Sequence, residues 1–337
     1  MKKVAVVCNS TNPDLLMYFS KKSTFLKNKA EFFGNRAFSK KLNIRTSSFS
    51  SVSGFSWLFF VDCIWSILVF IQLLFMRTKV VLFDTAHISN LPLAVLCKMV
   101  RIKLVFTIHD WNPHEGVQQG AVNAYNNFVK TILANEFVVF SNVESDKKVH
   151  KLKLSGFDKQ EGRDPQDYFL FFGRIEPYKG LKHLVLVARE MLNRKMDFRV
   201  IIAGKGDDPA MDVLKDLSNV EVINRFIQDE ELDFLLKGAI ATLLPYDSAT
   251  QSGVILHSYS YQVPVVSFDV GKLSEYITPD FSGHLVEYKN ITAFVDAMAD
   301  MAQKSHEYRE NVANEFKKYD DYALHEQYES LLSDIAS

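Results

Sequence analysis

Short apolar runs alternate with longer amphipathic stretches along the whole chain. In the first half, residues 3–8 (KVAVVC), 80–83, 103–108 and 136–140 are apolar runs bounded by polar residues. This pattern is typical of strands buried on both faces of a parallel sheet. Helix-like stretches such as 91–100 lie between them. Strands that alternate with helices predict a doubly wound α/β domain.

A second series of the same kind follows a polar segment at 154–167, which contains Gly and Pro and which we interpret as a linker. A length of 337 residues also suits about two domains. We therefore predict a first α/β domain over 1–158, a second over 159–312, and a C-terminal helix over 313–337 that returns to the first. The predicted elements of the second domain are strands at 168–172, 198–203, 220–223, 241–244 and 263–268, and helices at 181–193, 229–237 and 254–261.

The segment 55–76 (FSWLFFVDCIWSILVFIQLLFM) is apolar over a length that would span a bilayer. However, Asp62 would be costly near the bilayer interior, and a span would divide one α/β domain across the membrane. We favour a buried or membrane-inserted helix, with a transmembrane span as the alternative. A helix resting in the membrane interface would agree with the basic residues that precede it.

The net charge of −1 hides a strong asymmetry. Residues 1–165 hold 22 Lys and Arg against 12 Asp and Glu, whereas the remainder holds 17 against 28. A basic half suits an anionic membrane or a phosphorylated substrate, and a solvated basic face is the alternative. Nucleic acid is a weaker alternative, because phenylalanines are interleaved with the basic residues but no nucleic-acid module accompanies them. The basic residues are Lys21, Lys22, Lys27, Lys29, Arg36, Lys40, Lys41 and Arg45, and the phenylalanines are Phe19, Phe25, Phe32, Phe33 and Phe38.

Several classes of protein are disfavoured by the sequence. The three cysteines are sparse and unpaired in sequence, which argues against a disulfide framework and for a reducing compartment. No cysteine and histidine cluster has zinc-ligand spacing, no DxD motif suggests a metal, and no signal peptide is recognisable. The turn after the first strand lacks a glycine-rich fingerprint, so we expect no nicotinamide or flavin cofactor.

The strongest chemical signal is FFGRIEPYKG at 171–180. Here a predicted strand ends at Gly173, Arg174 follows at once, and Lys179 follows five residues later. Both cations would stand at the carboxyl end of a strand, where open α/β sheets bind their ligands. With the positive end of the next helix they predict a diphosphate clamp that needs no metal. A surface turn with two solvated cations is the alternative.

Three more segments end strands of the same series. IIAGKG places Gly204 and Gly206 after a strand, either as a close-approach loop beside a ligand or as a plain turn. LLPYDSATQSG places Thr250, Gln251, Ser252 and Gly253 at a helix start, whose unpaired N–H groups either receive the same diphosphate or are simply capped. Glu275 follows the next strand and either orients a sugar or ribose or caps the following helix.

These segments resemble family-four glycosyltransferases of the GT-B fold over residues 168–290. The resemblance is carried by FFGRIEPYKG, IIAGKG, VEVINRF, LLPYDSATQSG, VPVVSFDVGKLSEY and SGHLVEY in the same order and spacing. It is weaker in the first half, where LFDTAH and TIHDWNPHEG carry it. It implies two Rossmann-like doubly wound α/β domains facing across a cleft, a UDP- or GDP-linked sugar donor rather than a cofactor, and transfer with retention of anomeric configuration.

The resemblance also assigns roles to residues. Arg174 and Lys179 match the pair that binds the donor diphosphate and stabilises the leaving group. The backbone around Phe226 and Ile227 matches the region that holds the base. His109 stands where the family often has a histidine near the reacting sugar, with a structural histidine as the alternative. His114 is a weaker candidate.

The chain departs from the family at one point. Many members carry two glutamates separated by seven residues, but those positions, aligned on Pro264, hold Ala249 and His257. The TQSG run resembles a subgroup associated with polysaccharide and O-antigen assembly, so we interpret the change as altered sugar recognition in which Gln251 or Ser252 bonds the donor. The alternatives are an inactive GT-B scaffold and another GT-B sugar-nucleotide enzyme, such as an epimerase.

Together these observations predict a peripheral enzyme on the inner face of the cell membrane. Its partners would be a nucleotide-sugar donor, a polyprenyl-diphosphate-linked glycan acceptor in surface polysaccharide or lipopolysaccharide synthesis, and the membrane surface. We expect no nucleic-acid partner.

Overall fold

The computed structural model describes residues 3–10, 13–48, 58–85, 87–109, 111, 120–155, 157–249 and 252–337. The chain divides into two compact units. Unit 1 comprises Met1–Gly156 together with Asp321–Ser337, and unit 2 comprises Phe157–Asp320. The boundary between them falls in the polar segment after residue 154, and the C-terminal helix is part of unit 1.

Unit 1 is built on a seven-stranded parallel sheet in the order β3-β2-β1-β4-β5-β6-β7. Its central strands are buried along their full length because helices cover both faces of the sheet. The strands are β1 Val4–Cys8, β2 Ala30–Asn35, β3 Arg45–Ser48, β4 Val80–Phe83, β5 Lys103–Thr107, β6 Glu136–Val139 and β7 Lys148–Lys151.

The helices of unit 1 form two layers. One core cluster joins the sheet to α3, α4, α5 and the π-helix that follows it, and the other joins the opposite face to α1, α2 and α12. The helices are α1 Pro13–Phe25, α2 Arg36–Leu42, α3 Leu58–Phe75, α4 Leu91–Met99, α5 Gly120–Phe128, the π-helix Val129–Leu133 and α12 Asp321–Ala336, with a short 3₁₀ turn at Ile88–Asn90.

Unit 2 repeats the architecture with a six-stranded parallel sheet in the order β10-β9-β8-β11-β12-β13. The strands are β8 Tyr168–Phe172, β9 Arg199–Ala203, β10 Val220–Ile223, β11 Thr242–Leu244, β12 Val265–Phe268 and β13 Gly283–Val286. The helices are α6 Leu181–Asn193, α7 Ala210–Lys215, α8 Asp229–Gly238, α9 Gly253–Ser260, α10 Ile291–Gln303 and α11 Ser305–Phe316, with 3₁₀ turns at Pro177–Lys179 and Leu273–Glu275.

The apolar segment predicted at 55–76 forms α3, with residues 55–57 outside the described part of the chain. Its inner side chains Val69 and Leu73 are fully buried in the core, and Asp62 and Ser66 are buried as well. Among the residues that the structure describes, no helix has the length and apolar character to cross a bilayer.

The basic segment near the N-terminus is largely engaged within unit 1. Lys21 and Lys29 form ion pairs with Asp321 and Glu329 of α12 at 2.7 Å each, and Lys22 is buried in an ion pair with Asp84. Four of the interleaved phenylalanines, Phe19, Phe32, Phe33 and Phe38, are buried in the core. They therefore stabilise the fold.

The buried pair of Lys22 and Asp84 should be a sensitive point of unit 1. Lys22→Met would leave the Asp84 carboxylate buried without its partner, so we expect it to lower the free energy of unfolding by about 3–5 kcal/mol. All three tryptophans (57, 65 and 111) lie in unit 1, so tryptophan fluorescence during urea unfolding reports this unit selectively.

The matched control is Lys29→Met, which removes an exposed ion pair and should cost about 0–1 kcal/mol. Equal losses from the two variants would contradict the assignment of Lys22.

Candidate functional site

The centre of the candidate site is Lys179 at the carboxyl edge of the unit 2 sheet. It ends the 3₁₀ turn after β8, and only 7% of its surface is exposed. Burial lowers the pKa of Lys179 to about 8, with nearby Arg174 acting in the same direction and Glu176 opposing it. Within the described chain it has no ion-pair partner. A buried ammonium group of this kind suits a site whose anion is supplied by a ligand.

Gly173 provides the floor beneath this ammonium group. Its φ of 105° lies in a region that side-chain-bearing residues rarely adopt, and a Cβ here would lie 3.2 Å from Lys179 Nζ and 3.8 Å from Val254 Cγ2 in the first turn of α9. The structure therefore brings Gly173, Lys179 and the start of α9 together, as the diphosphate interpretation requires.

Arg174 occupies a different environment from Lys179. Its side chain is 79% exposed, and its Nη1 lies 3.1 Å from Glu176 Oε1. The predicted pair therefore consists of one buried, fixed cation and one exposed cation held by a surface carboxylate. An exposed ion pair of this type is weak, so an incoming anion can replace Glu176 at little cost.

The two glycines of the loop after β9 are required by close contact with the loop after β8. A Cβ at Gly204 would lie 1.9 Å from the Gly173 carbonyl oxygen, and one at Gly206 would lie 2.1 Å from that of Ile175. Ile175 N–H also donates to the Lys205 carbonyl at 3.0 Å. The close approach predicted at these glycines is thus an approach to the β8 loop, which they brace.

Glycines also allow close backbone contacts to the loop after β11, from the loops after β8 and β12. A Cβ at Gly180 would lie 2.0 Å from the Pro245 carbonyl oxygen, and one at Gly271 would lie 1.7 Å from that of Ala249. Both glycines have positive φ, at 70° and 58°. Four loops at one sheet edge are therefore held together by backbone contacts that only glycine permits.

Among the described residues at the start of α9, the N-cap residue does not cap the helix with its side chain. Ser252 has extended N-cap geometry but makes no capping hydrogen bond; its side chain is instead hydrogen-bonded to Tyr246. A Cβ at Gly253 would meet nothing within 4 Å, so its surroundings are open. Thr250 and Gln251 lie outside the described residues.

The remaining residues of unit 2 that are predicted to contact the donor follow strands of the same sheet. Glu275 ends the 3₁₀ turn after β12, with Oε1 3.8 Å from Lys272 Nζ. Phe226 is largely exposed after β10, whereas the neighbouring Ile227 packs against the core. The positions without the usual glutamates are also structural, because Ala249 is buried and the His257 ring lies 5.6 Å from that of Phe172.

One constellation at this edge was missed by the sequence analysis. Asp247 lies 2.7 Å from Lys182 Nζ and 2.8 Å from His183 Nε2, and it accepts a 2.8 Å hydrogen bond from the Tyr288 hydroxyl. Burial alone would raise the pKa of Asp247, but these three partners lower it to about 2. Its own N–H donates to the Tyr178 carbonyl at 2.8 Å. Asp247 therefore fastens the loop before α9 to the turn that carries Lys179. The position of Asp247 just after β11 is the feature of the sequence from which its place at this sheet edge could have been predicted.

The candidates in unit 1 are fewer. His109 lies just beyond the carboxyl end of β5 and stacks on Phe140, with ring centroids 5.1 Å apart. His114 lies outside the described residues. Among the described residues, no group of histidine, cysteine, aspartate or glutamate has the arrangement of a metal site.

Comparison with known proteins gives this geometry a family context. Residues 166–304, which lie in unit 2, match the family described as glycosyl transferases group 1. A curated relative, an uncharacterized 41.2 kDa protein in the cps region of Klebsiella pneumoniae, is 24% identical over 189 residues. The match covers 54% of this chain and about half (51%) of that relative's length.

Solved structures match the whole chain. A glycosyltransferase from Rickettsia africae ESF-5 has a TM-score of 0.72 at 13% identity, covering 99% of this chain and 98% of the other. The structure of Anabaena Alr3699/HepE in complex with UDP and glucose has a TM-score of 0.68 at 16% identity, and the match covers 99% of this chain and 100% of the other. The lipopolysaccharide outer core galactosyltransferase WaaB has a TM-score of 0.70 at 16% identity, and the match covers 99% of both chains.

These likenesses confirm the predicted fold class, two Rossmann-like doubly wound α/β sheets of the GT-B type. The predicted resemblance to glycosyltransferases is confirmed for the stretch that the family match covers. The match and the fold together show a chain that has the GT-B fold and that is similar to group 1 glycosyltransferases over residues 166–304. The individual site residues remain predictions.

The buried charge of Lys179 should lower the stability of unit 2. Its pKa in the folded protein is about 8 against an ordinary 10.5, so between these values the folded protein binds fewer protons than the unfolded chain. Lys179→Met should therefore stabilise the protein at pH 7, on the order of 2–3 kcal/mol. The gain should be complete below pH 8 and vanish as pH approaches 10.5.

Differential scanning calorimetry across this pH range measures the effect. Lys205→Met, which removes an exposed lysine from the neighbouring β9 loop, is the matched control and should change little. A destabilised Lys179→Met protein at pH 7 would show that the ammonium group has a structural partner.

Proposed function

We propose that the chain is a retaining glycosyltransferase that moves a sugar from a nucleoside-diphosphate sugar to a growing glycan in surface polysaccharide assembly. The observation that carries the proposal is the buried Lys179 ammonium group, which lies above Gly173 and beside the uncapped start of α9. A diphosphate supplies the negative charge that this site lacks.

The chemistry follows from where charge develops. Transfer breaks the bond between the anomeric carbon of the sugar and the diphosphate oxygen, and negative charge accumulates on the departing diphosphate. Lys179 and the N–H groups of α9 are fixed before the reaction, so they stabilise that charge without reorganising. Arg174 exchanges Glu176 for a phosphate oxygen and provides the second cation.

Other residues take supporting roles in this proposal. Phe226 and Ile227 border the base of the nucleotide, and Glu275 contacts the sugar or ribose. His109 of unit 1 contacts the donor or acceptor sugar. Asp247 is a positioning residue that holds the Lys179 turn and the α9 loop in register.

The choice of donor and acceptor draws support from the similar proteins. One of them holds UDP and glucose, one is a lipopolysaccharide galactosyltransferase, and one is encoded in a cps region. These support a UDP-linked donor and a role in surface polysaccharide synthesis. We further propose that the acceptor is a polyprenyl-diphosphate-linked glycan and that the enzyme acts at the inner face of the cell membrane.

Donor binding tests the proposal directly. Titration calorimetry with UDP, GDP and a panel of their sugars should find at least one ligand for the wild type, and Lys179→Met should weaken its binding at least about 100-fold, because a hydrogen-bonded charge pair is lost. Arg174→Ala should lose about tenfold in affinity but more in nucleoside diphosphate release with membrane acceptors. Lys205→Met is again the control.

The absence of binding by any nucleotide or nucleotide sugar would refute the proposal. Binding without turnover on acceptor membranes would support the inactive scaffold, and conversion of the free donor without transfer would support the epimerase alternative.

Donor affinity should also depend on pH. Since Lys179 loses its proton near pH 8, UDP affinity should fall as pH rises from 7 to 9, approaching tenfold per unit above the pKa. In Lys179→Arg the guanidinium stays charged, so any remaining affinity should lack this fall. An identical pH profile for both proteins would exclude Lys179 as the titrating group.

A further inference from the structure

The outer face of α3 is apolar along its whole described length. Four turns of the helix present large exposed hydrophobic side chains at helical spacing, while the opposite side is buried in the core. The exposed residues are Phe60, Ile64, Ile67, Leu68, Ile71, Leu74 and Phe75, of which Phe75 is 83% exposed. Exposed apolar patches of this extent in soluble domains mark interaction sites.

The neighbouring helix extends this surface. α4 packs against α3 and exposes Val95 and Met99, with Val100 directly after it; Met99 is 76% exposed. We call the exposed α3 residues together with Val95, Met99 and Val100 the α3–α4 face. On the opposite layer, α12 carries charged residues that pair with Lys21, Lys29 and Lys148.

The α3–α4 face is bordered by cations at one end. The helices finish in two turns of the same pattern, Phe75-Met76-Arg77-Thr78-Lys79 and Met99-Val100-Arg101-Ile102-Lys103. The turns lie side by side, because Lys103 N–H donates to the Lys79 carbonyl at 3.0 Å. Arg77 and Arg101 are both exposed with positive φ, at 54° and 61°, and within the described chain neither has an ion-pair partner.

Negative charge is sparse in the sequence that forms the α3–α4 face, and the nearby Glu136 is paired with Lys103 at 2.8 Å. Between Asp62 and Asp110 the sequence contains one acidic residue, Asp84, which is buried in its pair with Lys22. The surface therefore combines a long apolar stripe with unpaired arginines at its end. Apolar side chains beside basic ones are the combination that binds helices to anionic lipid surfaces.

The charge also decides between possible occupants. A second copy of this chain would bring two basic surfaces together, which like-charge repulsion opposes. A bilayer with anionic headgroups complements the arginines and accepts the apolar stripe. Because Val69 and Leu73 of α3 are fixed in the protein core, the helix can only lie along such a surface.

We propose that the α3–α4 face, with Arg77 and Arg101, is the docking surface for an anionic lipid bilayer, against which α3 lies flat. This assigns a surface to the membrane location in the proposed function, and it does not depend on the donor chemistry of unit 2.

Flotation with phosphatidylcholine vesicles, with and without phosphatidylglycerol, tests the proposal on the full chain. The wild type should bind the anionic vesicles preferentially. Arg77→Gln/Arg101→Gln should lower this binding about thirtyfold, because each basic side chain near an anionic surface contributes a factor of about five. Phe75→Gln/Met99→Gln should weaken binding to both kinds of vesicle.

Matched controls come from the opposite layer. Lys40→Gln/Lys41→Gln removes the same charge from exposed positions of α2, and Met17→Gln removes an exposed apolar side chain of α1; neither should change binding. UDP binding, measured in parallel, should be unaltered in every variant, which separates failure of this proposal from failure of the proposed function.

Three results would overturn the proposal. The wild type could remain unbound with anionic vesicles, the α2 control could lose as much binding as the arginine variant, or sedimentation could reveal a dimer that Phe75→Gln/Met99→Gln dissociates. The last result would assign the α3–α4 face to a second copy of the chain.

Discussion

Backbone contact between loops at the carboxyl edge of the second sheet is the constraint on which the candidate site depends. Gly204 fits against the Gly173 carbonyl, Gly180 against that of Pro245, and Gly271 against that of Ala249. Each contact excludes a Cβ, so the loops approach more closely than side chains would allow. This close packing buries the Lys179 ammonium group, which forms no ion pair within the part of the chain that the structure describes.

The site therefore stores unfavourable electrostatic energy in the free protein. A charge buried without a partner destabilises the fold, and the surrounding loops must be held rigidly enough to keep it in place. Asp247 contributes to this rigidity, since it bonds to Lys182, His183 and Tyr288 and to the Tyr178 carbonyl. In the proposed function, a bound diphosphate would compensate this buried charge.

Unit 1 separates its charge and its apolar surface onto opposite layers. The acidic C-terminal helix α12 lies against the basic side of the unit and pairs with lysines there, although more than 100 residues of unit 2 intervene in the sequence. The other layer has exposed apolar side chains and two arginine turns with few acids nearby. The charge asymmetry of the sequence is thus partly neutralised inside the molecule and partly displayed at one end of the α3–α4 face.

The sequence alone determined the α/β fold class and predicted the sheet edge at which the candidate site lies, because buried parallel strands are unbroken apolar runs and their ends are marked by glycine and polar residues. The runs at 80–83 and 168–172 form strands with the predicted bounds. The predicted helix 181–193 also has the bounds found in the structure. Strands β2, β3, β7 and β13 were not predicted. Three of them, β3, β7 and β13, are edge strands, which are only half covered and need no apolar run. The interior strand β2 (AEFFGN) was missed because Glu31 and Gly34 interrupt its apolar run.

Only the tertiary structure decided how the cations of the sequence are used. The sequence alone does not distinguish between the positive charges of Arg174, Lys179, Lys22 and Arg77. In the fold, Arg174 is exposed in a surface pair and Lys22 is buried with Asp84. Lys179 is buried with no ion-pair partner among the described residues, and Arg77 borders an apolar face. Burial and the distance to a counter-charge set the energy of a charge, and both arise from contacts between residues far apart in the chain.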